Sequence, residues 1–364
     1  MNMRDIDELK KFYLKRRRRW PLIIISLLII NFGVVATSMC VGSADISLPE
    51  ILSTLGWKAK AALGFSPELT IDEAKEIIIF QIRLPRAILA SLVGGALATA
   101  GAVLQGIFRN PMADPYVIGV SSGAALGASL AIVLGLGYGI FGASAMTIMA
   151  FAVAMVSLLV VYNISRIGQR VPVMTLLLSG IALSIFLSAI VSLLHIIAGE
   201  KLHALVFWLM GGFSYTEWID VYTMLPFTCI GFLLVYILAR DLNILQLGEE
   251  EASYLGVEVE KVKRSLIILA SLLTASAVSV SGLIGFVGLI IPHIVRLTVG
   301  PDHRILLPSA LIVGATFLVI CDIIARVIIP PSELPVGIIT AFAGVPFFIY
   351  LLRKARGRYL FYST

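Results

Sequence analysis

The sequence predicts an all-α, polytopic membrane protein with about ten transmembrane helices. Three observations predict it. Apolar residues make up 59% of the chain and the mean hydropathy is +0.99, more apolar side chain than a soluble core can bury. Charged residues amount to 14% and are gathered in clusters. Between the clusters lie ten apolar runs of the length that crosses about 30 Å of hydrocarbon as a helix.

In chain order, residues 1–20 are a basic segment that carries Lys15-Arg16-Arg17-Arg18-Arg19 just before the first run, 21–41. Positive charge beside the first span places the N-terminus in the cytoplasm. Residues 42–76, with Asp45, Glu50, Glu68, Asp72, Glu73 and Glu76, are too polar to span and form an extracytoplasmic segment. Further spans are predicted at 84–108, 116–136, 143–164, 172–198 and 219–239. Residues 240–264 are the most densely charged stretch of the interior chain and form a cytoplasmic loop. The last spans are 265–281, 284–299, 305–329 and 334–352, the first two short and broken only around Ser281-Gly282. Residues 21–352 therefore form one transmembrane domain, followed by a basic cytoplasmic tail, 353–364. With this count, 21 of the 28 Lys and Arg fall inside and seven outside; nine or eleven spans would leave one basic end outside.

Several chemistries find no support. The basic residues lack the aromatic interleaving of a nucleic-acid reader. Cys40, Cys229 and Cys321 lie far apart in or beside apolar runs, and read as small buried hydrophobes. His195, His203, His293 and His303 have no metal-ligand spacing. No G-x-x-x-x-G-K-[ST] occurs, so any nucleotide that drives this chain is bound by a partner.

Four stretches carry mechanism. In LNILQLGEEEASYLGVEVEKVKR, 242–264, Gly248 ends a turn, and Glu249, Glu250 and Glu251 suit the start of a short helix. Tyr254, Leu255 and Val257 follow, with Gly256 as a helix stop. Such a helix with apolar groups suits a partner's groove, although a solvated loop fits the spacing too. In IRLPR, Pro85 suits the first turn of a helix. Arg83 and Arg86 read either as snorkelling anchors or as a cationic patch. Arg326 lies four residues after Asp322, an ion-pair spacing. RNPMADP, 109–115, is a rigid reversal, since Pro111 and Pro115 prevent a continuous helix. In GLIGFVGLIIPHIVR, 282–296, glycines permit close packing and Pro292 a kink. Gly94, Gly95, Gly101, Gly119, Gly123 and Gly127 read as helix-packing positions.

Taken together, RLPR (83–86), GAVLQGIFRNPMADP (101–115), WLMGGFS (208–214), LNILQLG with EASYLGV (242–257), GFVGLIIPHIVR (285–296), DHRILLP (302–308) and ELPVGIITAFAGVPFF (333–348) resemble the permease family of type II ABC importers, which take up ferric siderophores, haem and cobalamin (vitamin B12). The resemblance covers about residues 20 to 352. It implies a ten-helix permease fold and a homodimer in a prokaryotic cytoplasmic membrane, with both termini cytoplasmic. The implied partners are two ATP-binding subunits, which hold the ATP and Mg²⁺, and an extracytoplasmic substrate-binding protein. No cofactor, catalytic residue or metal site is implied in this chain itself. Residues 248–257, Ala252 included, match the family's coupling helices. Arg83, Arg86 and Arg326 match arginines that meet acidic residues of the binding protein. Asn110 and Met112 match positions near the cytoplasmic gate. Val173 and Met174 align with a further gate position that is often Ser or Thr. The competing readings are an ion-coupled secondary transporter, which needs intramembrane carboxylates and offers only Asp322, and a membrane enzyme, which needs clustered His, Asp or Glu.

Overall fold

The computed structural model describes residues 17–361 apart from 43, 45, 63–71, 137–141 and 169. Among the described residues the fold is helical, with one isolated bridge between Ile167 and Arg170. Seven helices are long and apolar enough to cross a membrane: Trp20–Cys40, Glu73–Ile107, Ala145–Ser165, Val173–Ile197, Trp218–Ile237, Val259–Ser281 and His303–Val327. Three shorter apolar helices accompany them, Val120–Leu134, Val287–Val299 and Val336–Tyr350. The chain is a multi-pass membrane protein.

The helices are α1 (Trp20–Cys40), α2 (Leu48–Ala62), α3 (Glu73–Ile77), α4 (Leu84–Ile107), α5 (Val120–Leu134), α6 (Gly142–Ser165), α7 (Val173–Ile197), α8 (Leu202–Met210), α9 (Trp218–Ile237), α10 (Ala239–Leu245), α11 (Glu249–Tyr254), α12 (Val259–Ser281), α13 (Val287–Val299), α14 (His303–Val327) and α15 (Val336–Phe361).

Helix α4 is the buried axis. Its small residues let neighbours approach to backbone contact, which supplies van der Waals packing where lipid removes any hydrophobic drive between helices. A Cβ on Gly94 would overlap the carbonyl oxygen of Gly314 on α14, and one on Gly101 would overlap that of Gly288 on α13. Gly123 and Gly127 bring α5 against Ser157 and Met149 of α6 in the same way. Gly119 differs from the reading above: it precedes α5 in a left-handed conformation, φ 85°. Cys229 is also a correction, since it lies exposed on α9 while Cys321 is buried.

The second span starts earlier than its hydropathy indicates. Asp72 caps Ala74 N–H, Glu73 and Glu76 complement the helix dipole, and α3 passes through a π-helical turn, Ile78–Arg83, into α4. The polar segment before it is also structured. Helix α2 sets Ile51 against Met39, Ile46, Ile79 and Phe80, and Lys75 bonds Glu50 at 2.7 Å.

Two shorter helices are short because the chain re-enters the bundle. Gly288, on α13, contacts both Pro115 and the carbonyl of Leu97. Leu97 lies ten residues before the end of α4, about 15 Å along its axis. The 109–118 segment thus turns back inward before α5 begins. The break between α12 and α13 is likewise interior. Irregular backbone inside a bundle must find protein partners. Tyr116 Oη donates to Ile284 O at 2.9 Å and accepts from Ile284 N–H at 3.0 Å. Gly212 N–H donates to Ser281 O at 2.8 Å, and Gly337 N–H to Gly211 O at 3.2 Å.

Candidate functional site

The two ends of the bundle differ chemically. One end gathers the start of α1, the turns at 109–114 and 166–172, helices α10 and α11, and the start of α14. There Arg304 lies 6.0 Å over the Trp20 ring, Asn243 Nδ2 donates to Asp302 at 2.8 Å, and Gly106 abuts His303 and Leu242.

Helix α11 projects from this end. Acidic Glu249, Glu250 and Glu251 fill its first turn, and the left-handed Gly256, φ 84°, stops it. Val257 N–H donates to Ala252 O and Gly256 N–H to Ser253 O, both at 3.0 Å, the paired bonds of a Schellman motif. Ala252 is buried, and it seats the helix. Tyr254 is 87% exposed and Leu255 61%. The whole predicted set from Gly248 to Val257 therefore forms one rigid projection with two large apolar side chains unburied. Lys263 and Glu260, which the sequence reading did not single out, anchor it. Lys263 Nζ donates to Glu249 at 2.9 Å and to Glu260 at 3.0 Å. The i,i+3 spacing of Glu260 and Lys263 was a usable signal; the partnership with Glu249 was not.

The predicted gate positions occupy two neighbouring turns. Asn110 Oδ1 accepts from Met112 N–H at 2.9 Å, and Arg109 takes φ 47°. Asp114 caps Tyr116 N–H at 2.8 Å. Val173 and Met174 open α7 after Pro172, and Met174 is 68% exposed. Two turns into α7, Gly180 packs against Val117 and Ile118, just before α5.

At the opposite end the structure brings Arg83, Arg86 and Arg326 together, with their guanidinium groups turned inward. Arg83 donates to Met39 O at 2.7 Å, Cys40 O at 3.1 Å and Ala44 O at 2.6 Å, satisfying carbonyls left open at the end of α1. Arg326 donates to Ser38 Oγ at 2.7 Å and Val41 O at 3.0 Å, and pairs with Asp322 at 3.2 Å. Arg86 Nε bonds both oxygens of Asp322, at 2.9 and 3.1 Å, and Arg86 Nη1 bonds both of Glu333, at 3.0 and 2.8 Å. Glu333 also accepts from Ser214 at 2.9 Å. Arg83 and Arg86 are each 5% exposed, whereas the Glu333 side chain is 34% exposed. Among the described residues, no group of three or more His, Cys, Asp or Glu is placed to hold a metal ion.

The model of the FecCD transport family matches residues 27–354. The chain belongs to that family. FecCD relatives include a cobalamin import system permease protein of Halobacterium salinarum, 45% identical over 86% of this chain and 84% of its own. A molybdate import system permease protein of Haemophilus influenzae is 39% identical, covering 93% of this chain and 97% of its own. A hemin transport system permease protein of Yersinia pestis is 37% identical over 92% and 97%. Among solved structures, a metal-chelate type ABC transporter in an inward-facing conformation matches with TM-score 0.79 and 36% identity, covering 92% of this chain and 99% of that one. These relatives are transport permeases, not enzymes, and the family is the one that the seven sequence motifs resemble.

Proposed function

We propose that this FecCD chain is the membrane permease of an ATP-driven importer whose cargo is a metal chelate, with ferric siderophore or haem ahead of cobalamin. The observation that carries the proposal is α11. A helix that exposes Tyr254 and Leu255 beside three glutamates is built to enter another protein's groove. In this reading two ATP-binding subunits hold ATP and Mg²⁺ and dock on α11, and both termini lie on their side of the membrane. Ten spans supply the permease fold, two copies of it form the transport path, and Asn110, Met112, Val173 and Met174 border the cytoplasmic gate.

A substrate-binding protein docks at the opposite end. Because Arg83, Arg86 and Arg326 lie beneath the surface, they act there by holding the end of α1 and Glu333, the accessible carboxylate, in place. Charge reversal at Arg83 and Arg86 is expected to weaken that docking; unchanged affinity at low salt removes the role. The ion-coupled reading needs a carboxylate available to a cation, and Asp322 is fully buried between Arg86 and Arg326.

Deleting residues 249–256 tests the main claim. The deletion is expected to abolish copurification of an ATPase from host membranes, while the protein remains inserted; a retained and coupled ATPase refutes it.

A further inference from the structure

Lys263 is unusual among the cations of α12. It is 3% exposed, whereas the neighbouring Lys261 has a side chain 69% exposed and pairs with Glu258 on the surface. A buried ammonium group is tolerated only with close, charged hydrogen-bond partners, and separating it from one of them is costly. Its two partners belong to different elements. Glu249 is the first residue of α11, and Glu260 lies one turn back on α12 itself.

Glu260 carries the connection onward. Its second oxygen accepts from Val171 N–H at 3.2 Å, a contact between residues 89 apart in sequence. Val171 is followed by Pro172, whose carbonyl opens α7 by accepting from Leu176 N–H at 3.1 Å and Thr175 Oγ1 at 2.9 Å. Thr175 also reaches back to Ser165 O, the end of α6, at 3.1 Å. Val171 and Pro172 are thus bonded to both α12 and α7, and Val173 and Met174 follow them directly. A continuous path of charge-assisted and backbone hydrogen bonds runs from Glu249 through Lys263, Glu260 and Val171 to the start of α7. Charged hydrogen bonds of this kind are about twice as strong as neutral ones.

We propose that Lys263 and Glu260 form a relay that carries displacement of α11 to the start of α7, which makes Lys263 a positioning residue for the cytoplasmic gate. The inference rests on the reading of α11 as the ATPase-docking helix and of Val173 and Met174 as gate residues. Both ends of the path move only if its interior members hold. The geometry gives each member a task. Glu249 senses the partner's motion, Lys263 keeps α11 and α12 in register, and Glu260 pulls on the backbone at Val171, two residues before α7.

The test uses the permease copurified with its ATPase, in a background where Cys40, Cys229 and Cys321 are replaced by Ala and M174C is the only cysteine. Labelling by a membrane-impermeant maleimide is compared between the nucleotide-free and the ATP-vanadate-trapped complex. The unaltered relay is expected to give a nucleotide-dependent labelling rate. K263M is expected to keep the ATPase bound and to cut that nucleotide-dependent difference about tenfold, within the range of a coupling link. E260Q, which leaves Lys263 paired with Glu249, is expected to give a smaller cut. K263R should restore the response, and K261M should leave it unchanged. A nucleotide response in K263M equal to that of the unaltered relay overturns the proposal, and so does equal labelling of M174C in both states with the relay intact. Tyr254→Ala with Leu255→Ala separates the two layers. If that pair leaves ATPase copurification intact, the docking reading fails; if it abolishes copurification while K263M responds normally, only the relay fails.

Discussion

Asp322 has no exposed surface and accepts from guanidinium groups on two helices, Arg86 of α4 and Arg326 of its own helix. Removing it leaves two buried cations without their main counter-charge. Asp322→Ala is therefore expected to destabilise the protein by about 3–5 kcal/mol. Glu333→Gln, at the exposed rim, should cost much less. Thermal unfolding in detergent compares the two, and equal losses contradict the ranking. Of this cluster, the Asp322–Arg326 pair was legible from its i,i+4 spacing. The partners of Arg86 were not, because they lie 236 and 247 residues away in sequence.

Among the elements, the glycines divide by task. Gly94 and Gly314 bring α4 and α14 to backbone contact, so Gly94→Leu forces the two helices apart. Overpacking of this kind typically costs about 1–3 kcal/mol and lowers the yield of folded protein, measurable by size-exclusion chromatography. The small-residue pattern made these contacts legible, while the partner helices were not. Gly256 acts through its backbone. Its φ of 84° penalises any β-branched replacement, so Gly256→Val should disorder the end of α11 and reduce ATPase copurification with membrane insertion unchanged. Here the sequence was highly informative, because glutamates, apolar pair and stop glycine encode the helix locally. The 109–118 turn shows the opposite case. Two prolines predicted a reversal, but its inward path depends on Tyr116 meeting Ile284, 168 residues on. Tyr116→Phe leaves both Ile284 backbone groups without that partner, a cost of about 1–3 kcal/mol for each buried group. The same substitution in a solvated turn would be nearly neutral.

Across the whole molecule, hydropathy located the apolar helices, seven long enough to cross a membrane and three shorter. The apolar runs mark where helices sit because lipid and backbone hydrogen bonding leave few alternatives. They do not mark where a helix breaks inside the bundle, since interior breaks are satisfied by distant residues such as Tyr116 and Gly212. They also missed the start of the second long helix, because α3 is polar and stands outside the apolar run. The arrangement that results has a projecting helix, α11, at one end and a charged clasp at the other, and in the proposed function the projection faces the ATPase. ATP-driven import is the central claim. Its most direct test is uptake of radio-iron ferric hydroxamate, haemin and cyanocobalamin by proteoliposomes containing the complex copurified with this chain, with its binding protein outside and the ATPase and ATP inside. The account predicts uptake of a chelate that requires ATP, survives collapse of ion gradients by ionophores, and is lost when 249–256 is deleted. Uptake that ignores ATP and stops when the ion gradients collapse would contradict it.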